Sequence, residues 1–497
     1  MKLKRRLFLI ALGTVLTPIR KIFAKAIEPT FRVTLPEAHK GTLEIDTRLL
    51  DSYGGPERNL RQFYFDARRN FASSRNVHFT DASIIESAKD NEVLLMGGPM
   101  LGDLRADGVT VWMRPATDAV LSITVAGESH PVESRRPGEA VRFRIDGLLP
   151  NTDYTYSVEA SGHTIATGQF TSAPLDDARG SFRLAFGSCF HKIGVHNPNL
   201  FREIIRRQPD AMLLLGDLAV DDRNDNVAMH RADYQLRDVS KPWRELVSQV
   251  PVYTTWDDHD YFDNDLSGIP RKFTAQDRDH LRQAWRENWS NPPADPQREG
   301  IYFNTRLGPV EVIMLDTRSC RDNSQRGRQG SYLGQAQMDW LKDTLQKSTA
   351  KFKVISSGTM WSDYVSNAKD SWGSWDTEAR EEIFQLIERE KIGGVLLVSG
   401  DRHGARGFRI PRPSGFQFYE FEPATLGGAS GPKGLVKNCP DQLFGYGGID
   451  NEGNPFVAFG EFTFAVSDDD TSVTFRLITQ LGDIVEEIEL TLAELTP

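Results

Sequence analysis

The sequence predicts an α/β protein in which a small β-sandwich precedes a larger region of alternating strands and helices. Two observations predict this fold class. Between about residues 93 and 175, short runs of alternating polar and apolar residues are separated by turn residues, which is typical of a sandwich. After Arg183, buried apolar runs alternate with amphipathic stretches of helical period, which is typical of strands joined by helices.

Composition excludes several classes of protein. The 497 residues are enough for roughly three domains, and 39% of them are hydrophobic, which excludes a disordered chain. Three cysteines are too few for a disulfide scaffold, and no collagen or coiled-coil repeat is present. The apolar run from Leu7 to Ile19 is shorter than the ~20 residues that span a bilayer. We therefore expect a soluble globular protein.

Residues 1–26 are predicted to be a signal peptide rather than part of the fold. Basic residues precede the apolar run, and Ala24-Lys25-Ala26 offers the small-x-small pattern of a cleavage site. Arg5-Arg6-Leu7-Phe8-Leu9 resembles the twin-arginine export signature, so the twin-arginine translocase is the expected partner. An ordinary secretory signal with a chance arginine pair, or an uncleaved anchor, is the alternative. The expected location is the periplasm or the exterior of the cell, with no membrane span left after cleavage.

Charge restricts the partners of the mature chain. The signal segment holds seven basic residues and no acidic one, so its removal takes the net charge from −10 to −17. Such an acidic chain is not expected to carry a nucleic-acid-binding module or to bind an anionic membrane surface. Its converging carboxylates would instead need bound cations. Three cysteines cannot all pair internally, so at least one of Cys189, Cys320 and Cys439 is expected to be free.

Two regions are expected to precede the larger domain. Residues 27–92 are interpreted as an N-terminal extension packed on the body, with no assigned chemistry. Residues 93–175 are interpreted as the β-sandwich, with strands at 109–112, 121–125 and 141–145. The stretch Leu148–Tyr156 resembles the L-x-P-x-T-x-Y-x-Y pattern of fibronectin type III-like domains, and 173–177 is expected to be the linker that follows.

The domain expected at residues 176–497 places polar groups directly after buried strands. Helices are predicted at 199–207, 275–289, 335–347 and 376–391, and the strand-rich tail from 417 to 492 would complete a second sheet. The predicted strands, each with the residues that follow it, are 184–186 with Gly187-Ser188-Cys189, 211–215 with Gly216-Asp217, 252–256 with Asp257-Asp258-His259-Asp260, 310–315 with Asp316-Thr317-Arg318, and 395–398 with Ser399-Gly400-Asp401-Arg402-His403.

Four of these strands end in groups that can bind a metal. In α/β sheets such groups converge beyond the carboxyl ends of the strands. Each group alone is unspecific, since a Gly-Asp pair usually forms a turn and a lone cysteine usually fills the core. The cluster Asp257-Asp258-His259-Asp260 is more informative, because its carboxylates repel one another unless they are solvated or neutralised by a metal. Nucleophile-elbow, P-loop, H-E-x-x-H and C-x-x-C motifs are absent from the sequence.

Six motifs in this order resemble the PhoD-like (alkaline phosphatase D) family of metallophosphatases, over roughly residues 93–490. The motifs are Phe186-Gly187-Ser188-Cys189, Leu215-Gly216-Asp217, Trp256-Asp257-Asp258-His259-Asp260 with Asn264, Leu315-Asp316-Thr317-Arg318, Leu333-Gly334 with Gln337 and Trp340-Leu341, and Ser399-Gly400-Asp401-Arg402-His403. The resemblance implies a metallophosphoesterase αββα sandwich. It also implies an exported enzyme that hydrolyses phosphomonoesters and phosphodiesters at alkaline pH with metal-activated water.

The resemblance further implies Fe³⁺ and Ca²⁺ as cofactors, with other divalent metals as an alternative. Cys189 would bind the ferric ion, Asp217 would bridge the metals, and Asp258 with Asn264 would serve the second site. Asp401 and His403 would complete the shell. His259 would act on the leaving group or, alternatively, only orient Asp258. Arg318 and Arg402 would either bind the substrate phosphate or form salt bridges with acidic groups.

One departure from the family pattern concerns the iron site. Family members commonly carry a tyrosine ligand three residues after the Gly-Asp aspartate, and this chain has Val220 there, followed by Asp221 and Asp222. Either a neighbouring aspartate substitutes, or the metal differs, or activity is reduced. The alternative function is therefore a non-catalytic or specialised, phospholipid-acting member of the same fold. A disulfide between Cys320 and Cys439, leaving Cys189 as a free thiolate, is a further hypothesis.

Overall fold

The computed structural model describes residues 26–497 except 119, 133–135, 296, 326–330, 364–370, 428–433, 435, 437–438, 448–455 and 469. The twin-arginine pair, the apolar run and nearly all of the predicted signal peptide lie outside the described residues. No helix among the residues described is long and apolar enough to cross a membrane.

The N-terminal extension is helical. Its aromatic residues Phe63, Tyr64 and Phe71 are buried in one apolar cluster with Ala228, and residues 228–239 of the body supply the other side of that cluster. The extension is therefore joined to the body by a buried apolar cluster to which both contribute. Its helices are α1 Leu35–Ala38, α2 Leu43–Asp51, α3 Arg58–Ser73 and α4 Ala82–Asp90.

Seven antiparallel strands follow in two sheets. The three-stranded sheet has the order β1-β2-β5 and the four-stranded sheet the order β4-β3-β6-β7. Burial alternates along β3, as its sequence predicts. The identification of this region as fibronectin type III-like stays a prediction. The strands are β1 Leu95–Arg105, β2 Gly108–Pro115, β3 Leu121–Val125, β4 Glu128–Val132, β5 Val141–Asp146, β6 Asp153–Ala160 and β7 His163–Thr171.

The larger region is built on a six-stranded and a seven-stranded sheet. The six-stranded sheet has the order β10-β9-β8-β18-β19-β20, and the seven-stranded sheet has the order β11-β12-β13-β14-β16-β15-β17. The strands are β8 Gly180–Gly187, β9 Ala211–Leu215, β10 Val252–Thr255, β11 Phe303–Leu307, β12 Val310–Met314, β13 Phe352–Ser356, β14 Val395–Val398, β15 Ala405–Pro411, β16 Gln417–Pro423, β17 Gln442–Tyr446, β18 Ala458–Val466, β19 Ser472–Thr479 and β20 Ile484–Thr491.

The two large sheets pack face to face, and helices cover their outer faces. Phe421 of β16 lies 4.3 Å from Phe475 of β19, ring centroid to centroid, and Phe352 lies 4.9 Å from Phe464 across the same interface. This αββα layering is the predicted fold class. The helices are α5 His191–Gly194, α6 Pro198–Arg207, α7 Val227–Asp238, α8 Lys241–Val247, α9 Asp258–Tyr261, α10 Ala275–Glu287, α11 Gln335–Lys347, α12 Trp372–Trp375 and α13 Thr377–Glu390.

Strand direction brings the predicted site residues to one edge. Strands β8, β9 and β10 are parallel neighbours, so the residues that follow them, including Cys189, Asp217 and Asp257, leave the sheet on the same side. Strand β14, which Asp401 follows, is parallel to β13 in the opposing sheet. The carboxyl ends of both parallel groups form the crevice in which α/β proteins bind ligands.

The hypothesis of a disulfide between Cys320 and Cys439 is wrong, because all three cysteines are free. Cys320 follows β12 and Cys439 precedes β17. These two strands lie five positions apart in the order of the seven-stranded sheet. At about 4.8 Å per strand this separation is far beyond the reach of a disulfide.

Candidate metal centre

The backbone at the strand ends is held in an unfavourable conformation. Cys189, Asp217 and Asp401 have φ of 58°, 53° and 75°, in the left-handed region that non-glycine residues avoid. Gly216 has φ of 107°, and a Cβ at this position would lie 2.5 Å from the Cβ of Asp257. Backbone strain of this kind persists where the surrounding structure enforces it and concentrates at functional sites. Here the strain projects the three ligand-type side chains into one crevice.

The first cluster of ligand-type side chains combines sulfur, nitrogen and oxygen. The candidate donor atoms of Cys189, His191, Asp217 and His403 all lie within 4.8 Å of one another. Cys189 Sγ is 3.6 Å from Asp217 Oδ2, and the Nε2 atoms of His191 and His403 are 3.2 Å apart. Burial, with the charge of Asp217, raises the pKa of the Cys189 thiol well above its ordinary value. A thiolate, two imidazoles and a carboxylate form a donor set suited to a transition metal.

The second cluster consists of carboxylates alone. The carboxylate oxygens of Asp217, Asp257, Asp258 and Asp401 also lie within 4.8 Å of one another. Burial raises the pKa of Asp217 and of Asp401 well above the ordinary range, and the neighbouring carboxylates add to this effect. Oδ1 of Asp217 is buried and accepts no hydrogen bond from any residue that the structure describes. These carboxylates therefore fit a hard cation such as Ca²⁺, and Asp217 belongs to both clusters.

Two arginines pair with the acidic residues of the site. Arg318 is fully buried, with Nε 2.5 Å from Asp257 Oδ1 and Nη2 3.6 Å from Asp258 Oδ1. Although burial acts in the opposite direction, Arg318 and His259 lower the pKa of Asp258. Nη1 of Arg402 lies 3.7 Å from Asp401 Oδ2. The sequence analysis left two roles open for Arg318 and Arg402, and the structure contains the salt bridges with acidic groups. Binding of the substrate phosphate by either arginine stays a prediction.

His259 is held by Asp222. Its Nδ1 lies 2.6 Å from Asp222 Oδ1, and the ring also lies in a group with Asp217 and Asp258 whose donor atoms are within 4.8 Å of one another. Burial opposes protonation, but Asp217 and the hydrogen bond to Asp222 together raise the pKa of His259 well above its ordinary value. The surroundings of His259 therefore favour its protonated form beside the carboxylates.

Asn264 lies next to the carboxylates rather than among them. The residue is exposed, and its side-chain amide donates to Asp265 Oδ2 at 3.2 Å. The backbone N–H of Asp265 donates to Asp258 Oδ2 at 2.6 Å, so this turn touches the carboxylate cluster through its main chain. The role of Asn264 as a ligand stays a prediction.

The structure adds His191 and His39, which the sequence analysis missed, and it places Asp221 beside His191. His191 comes two residues after Cys189, and its Nδ1 lies 2.9 Å from Oδ1 of the fully buried Asp221. Val220 is itself buried in an apolar cluster, so Asp221 contacts a site histidine while Val220 fills the core. The spacing Cys-x-His was a signal available in the sequence. The other missed residue is His39, which enters the site from the N-terminal extension, where no chemistry was expected.

Comparisons with known proteins agree with this geometry. Residues 184–427 match the family described as PhoD-like phosphatase. Alkaline phosphatase D of Bacillus subtilis (strain 168) is 24% identical over 379 residues, which is 62% of this chain and 64% of that protein, less than two thirds of its length.

Two solved structures share the fold. The structure of PhoD superposes with a TM-score of 0.62 at 20% identity, covering 80% of this chain and 88% of that one. Purple acid phosphatase PPD1 from seeds of yellow lupin (Lupinus luteus) superposes with a TM-score of 0.57 at 14% identity, covering 79% and 74% of the two chains. Both likenesses establish a metallophosphatase-type fold.

Proposed function

We propose, from the premise that residues 184–427 belong to the PhoD-like phosphatase family, that this chain is a metal-dependent phosphoesterase. The observation that carries the proposal is the position of Asp217. Its carboxylate belongs both to the cluster with Cys189, His191 and His403 and to the cluster with Asp257, Asp258 and Asp401. Such sharing is the arrangement required for two adjacent metal ions.

The two clusters favour different metals. The cluster with the Cys189 thiolate suits Fe³⁺ or another transition metal, and the carboxylate cluster suits Ca²⁺. His191 provides a nitrogen donor near Cys189, and this supports a complete ligand set despite Val220. Bound metal ions would supply Lewis acidity at the phosphoryl oxygens and lower the pKa of the attacking water.

The protein groups around the clusters support the same chemistry. His259 is only 6% exposed and lies beside Asp217 and Asp258, whose charges raise its pKa, so it is placed to donate a proton to the leaving-group oxygen. The hydrogen bond that its Nδ1–H donates to Asp222 fixes the orientation of the ring. Arg318 holds Asp257 and Asp258 in place, and the backbone N–H of Arg402 donates to Glu422 Oε1 at 2.9 Å, which fixes the turn after Asp401.

Export is part of the proposal. Residues 1–26 of the sequence carry a basic start, an apolar run and a small-x-small site, and Arg5-Arg6 is the basis for the twin-arginine route. The mature enzyme would act in the periplasm or outside the cell on phosphomonoesters and phosphodiesters.

Steady-state hydrolysis of p-nitrophenyl phosphate and of its bis ester tests the proposal. The mature chain would be compared with His259→Asn, Asp217→Asn and the control His163→Gln, which changes an exposed histidine on β7. We expect turnover by the wild type and the control, and a loss of about 10²-fold or more in both site variants.

Failure of the metal-loaded wild type to hydrolyse either ester would contradict activity on small esters. Hydrolysis of phosphatidylcholine alone would then favour the specialised, phospholipid-acting alternative. Absence of hydrolysis on all three substrates would favour the non-catalytic alternative.

A further inference from the structure

His39 connects the N-terminal extension to the candidate metal centre. The residue caps the C-terminus of α1, and its side chain is 23% exposed. Its Nδ1 lies 3.2 Å from Asp222 Oδ2, and its Nε2 lies 4.0 Å from Asp221 Oδ1. The ring centroid is 4.7 Å from that of His259 and 5.6 Å from that of His191. One residue of the extension therefore contacts both carboxylates that hold the site histidines.

The two carboxylates approach His39 differently. Asp222 accepts a hydrogen bond from His259 on Oδ1 and its Oδ2 lies 3.2 Å from His39 Nδ1, whereas Asp221 faces His39 with the same Oδ1 that contacts His191. Asp221 binds His191 through Oδ1 and accepts the backbone N–H of Lys192 on Oδ2 at 3.2 Å. A carboxylate with both oxygens engaged has little freedom to rotate, and a carboxylate hydrogen-bonded to an imidazole fixes the orientation of that ring.

Buried ion pairs anchor the extension at the same two loops. Asp46 of α2 is fully buried and lies 3.1 Å from Lys192 Nζ and 3.0 Å from Arg68 Nε. Asp233 pairs with Lys192 at 3.6 Å and with Arg223 at 2.7 Å. Lys192 directly follows His191, and Arg223 directly follows Asp222. The network thus fixes α2 directly to the segment of Lys192 and, through Asp233 of α7, indirectly to the loop of Arg223.

We propose that His39 is a positioning residue of the metal centre, and that the helices of the extension are a structural part of the active site. His39 would act through Asp222 on His259 and through Asp221 on His191. The catalytic part of this inference rests on the proposed function, whereas the effect on metal binding does not.

Two substitutions separate positioning from packing. His39→Phe keeps a ring between His191 and His259 but removes both nitrogens, whereas His39→Asn places an amide nitrogen where Nδ1 contacts Asp222. Lys40→Ala changes the exposed neighbouring residue and serves as the control. Each variant of the full mature chain would be stripped of metal and titrated with Co²⁺, whose absorption spectrum reports coordination, and thermal unfolding would be recorded for each.

We expect His39→Phe to weaken Co²⁺ binding about 10- to 100-fold and to change the cobalt spectrum, because Asp222 loses its contact with His39 and no longer fixes His259 beside Asp217 and Asp258. His39→Asn should retain most of the wild-type affinity, and Lys40→Ala should match the wild type. Equal Co²⁺ affinity and spectra for His39→Phe and the wild type would overturn the inference, even if the variant unfolds at lower temperature. Lack of ester hydrolysis by the wild type would contradict the proposed function alone, because the cobalt comparison does not depend on turnover.

Discussion

The Nε2 atoms of His191 and His403 lie 3.2 Å apart in the buried crevice between the two large sheets. Asp221 accepts a hydrogen bond from Nδ1 of His191, so Nε2 is the ring nitrogen that faces His403. Burial and the neighbouring His191 hold the pKa of His403 well below its ordinary value, so this imidazole is neutral. Two ring nitrogens that face each other beside a cysteine and an aspartate can hold a cation between them.

Replacement of Asp221 should weaken metal binding without removing a ligand. In Asp221→Asn the charge that holds the Nδ1 proton of His191 is lost, and we expect about a 10- to 100-fold loss of metal affinity. Metal titration followed by calorimetry would measure it. Asp225→Asn is the matched control, because Asp225 lies in the same loop and pairs with Arg75 instead. Equal affinities in the two variants would show that Asp221 does not orient His191.

Loss of Arg318 should destabilise the metal-free protein. Its guanidinium is buried against Asp257 and Asp258, and removal of one partner of a buried ion pair costs about 3–5 kcal/mol. We expect Arg318→Met to lower the free energy of unfolding by this amount in the presence of a chelator, as measured by denaturant titration. The control Arg32→Met breaks an exposed pair with Glu28 and should cost about 1 kcal/mol or less. A similarly small effect for Arg318→Met would contradict the structural role of this pair.

Lys353 should make stability depend on pH in the alkaline range. Burial lowers the pKa of its amine from 10.5 to about 8 in the folded chain. Between these two values the unfolded chain binds the proton that the folded chain has released, so stability rises with pH. Below about pH 8 the amine is protonated in both states and contributes no pH dependence.

A comparison with Lys353→Met isolates this effect. From pH 7.5 to pH 10 the wild type should gain up to about 3 kcal/mol of unfolding free energy relative to the variant. The measurement is the difference between their denaturant unfolding curves at each pH. A difference that does not change with pH would contradict the lowered pKa of Lys353.

The sequence was informative where a side chain that can bind a metal comes directly after a strand. Cys189, Asp217, Asp258 and Asp401 each follow an apolar run of strand length, and parallel neighbours must bring such residues to one edge. The alternation of strands and helices predicted an α/β fold, and the family resemblance implied its αββα layering.

Contacts between distant segments could not be predicted from the sequence. His39 reaches the site because the helices of the extension pack against the body, α3 on α7 and α1 on α5, and no local pattern in residues 27–92 indicates that packing. The partner of Arg318 depends on its burial beside Asp257, which motif spacing does not determine. The free thiols of Cys320 and Cys439 likewise follow from the strand order of the seven-stranded sheet.

The number of metal ions bound per chain tests the central claim most directly. Elemental analysis of the purified, metal-loaded wild type should find at least one transition metal ion and one further cation per chain. Asp217→Asn should lose occupancy at both sites, because Asp217 belongs to both clusters, whereas Asp225→Asn should match the wild type. A wild type that binds no metal, or an Asp217→Asn variant that retains full occupancy, would contradict the shared centre.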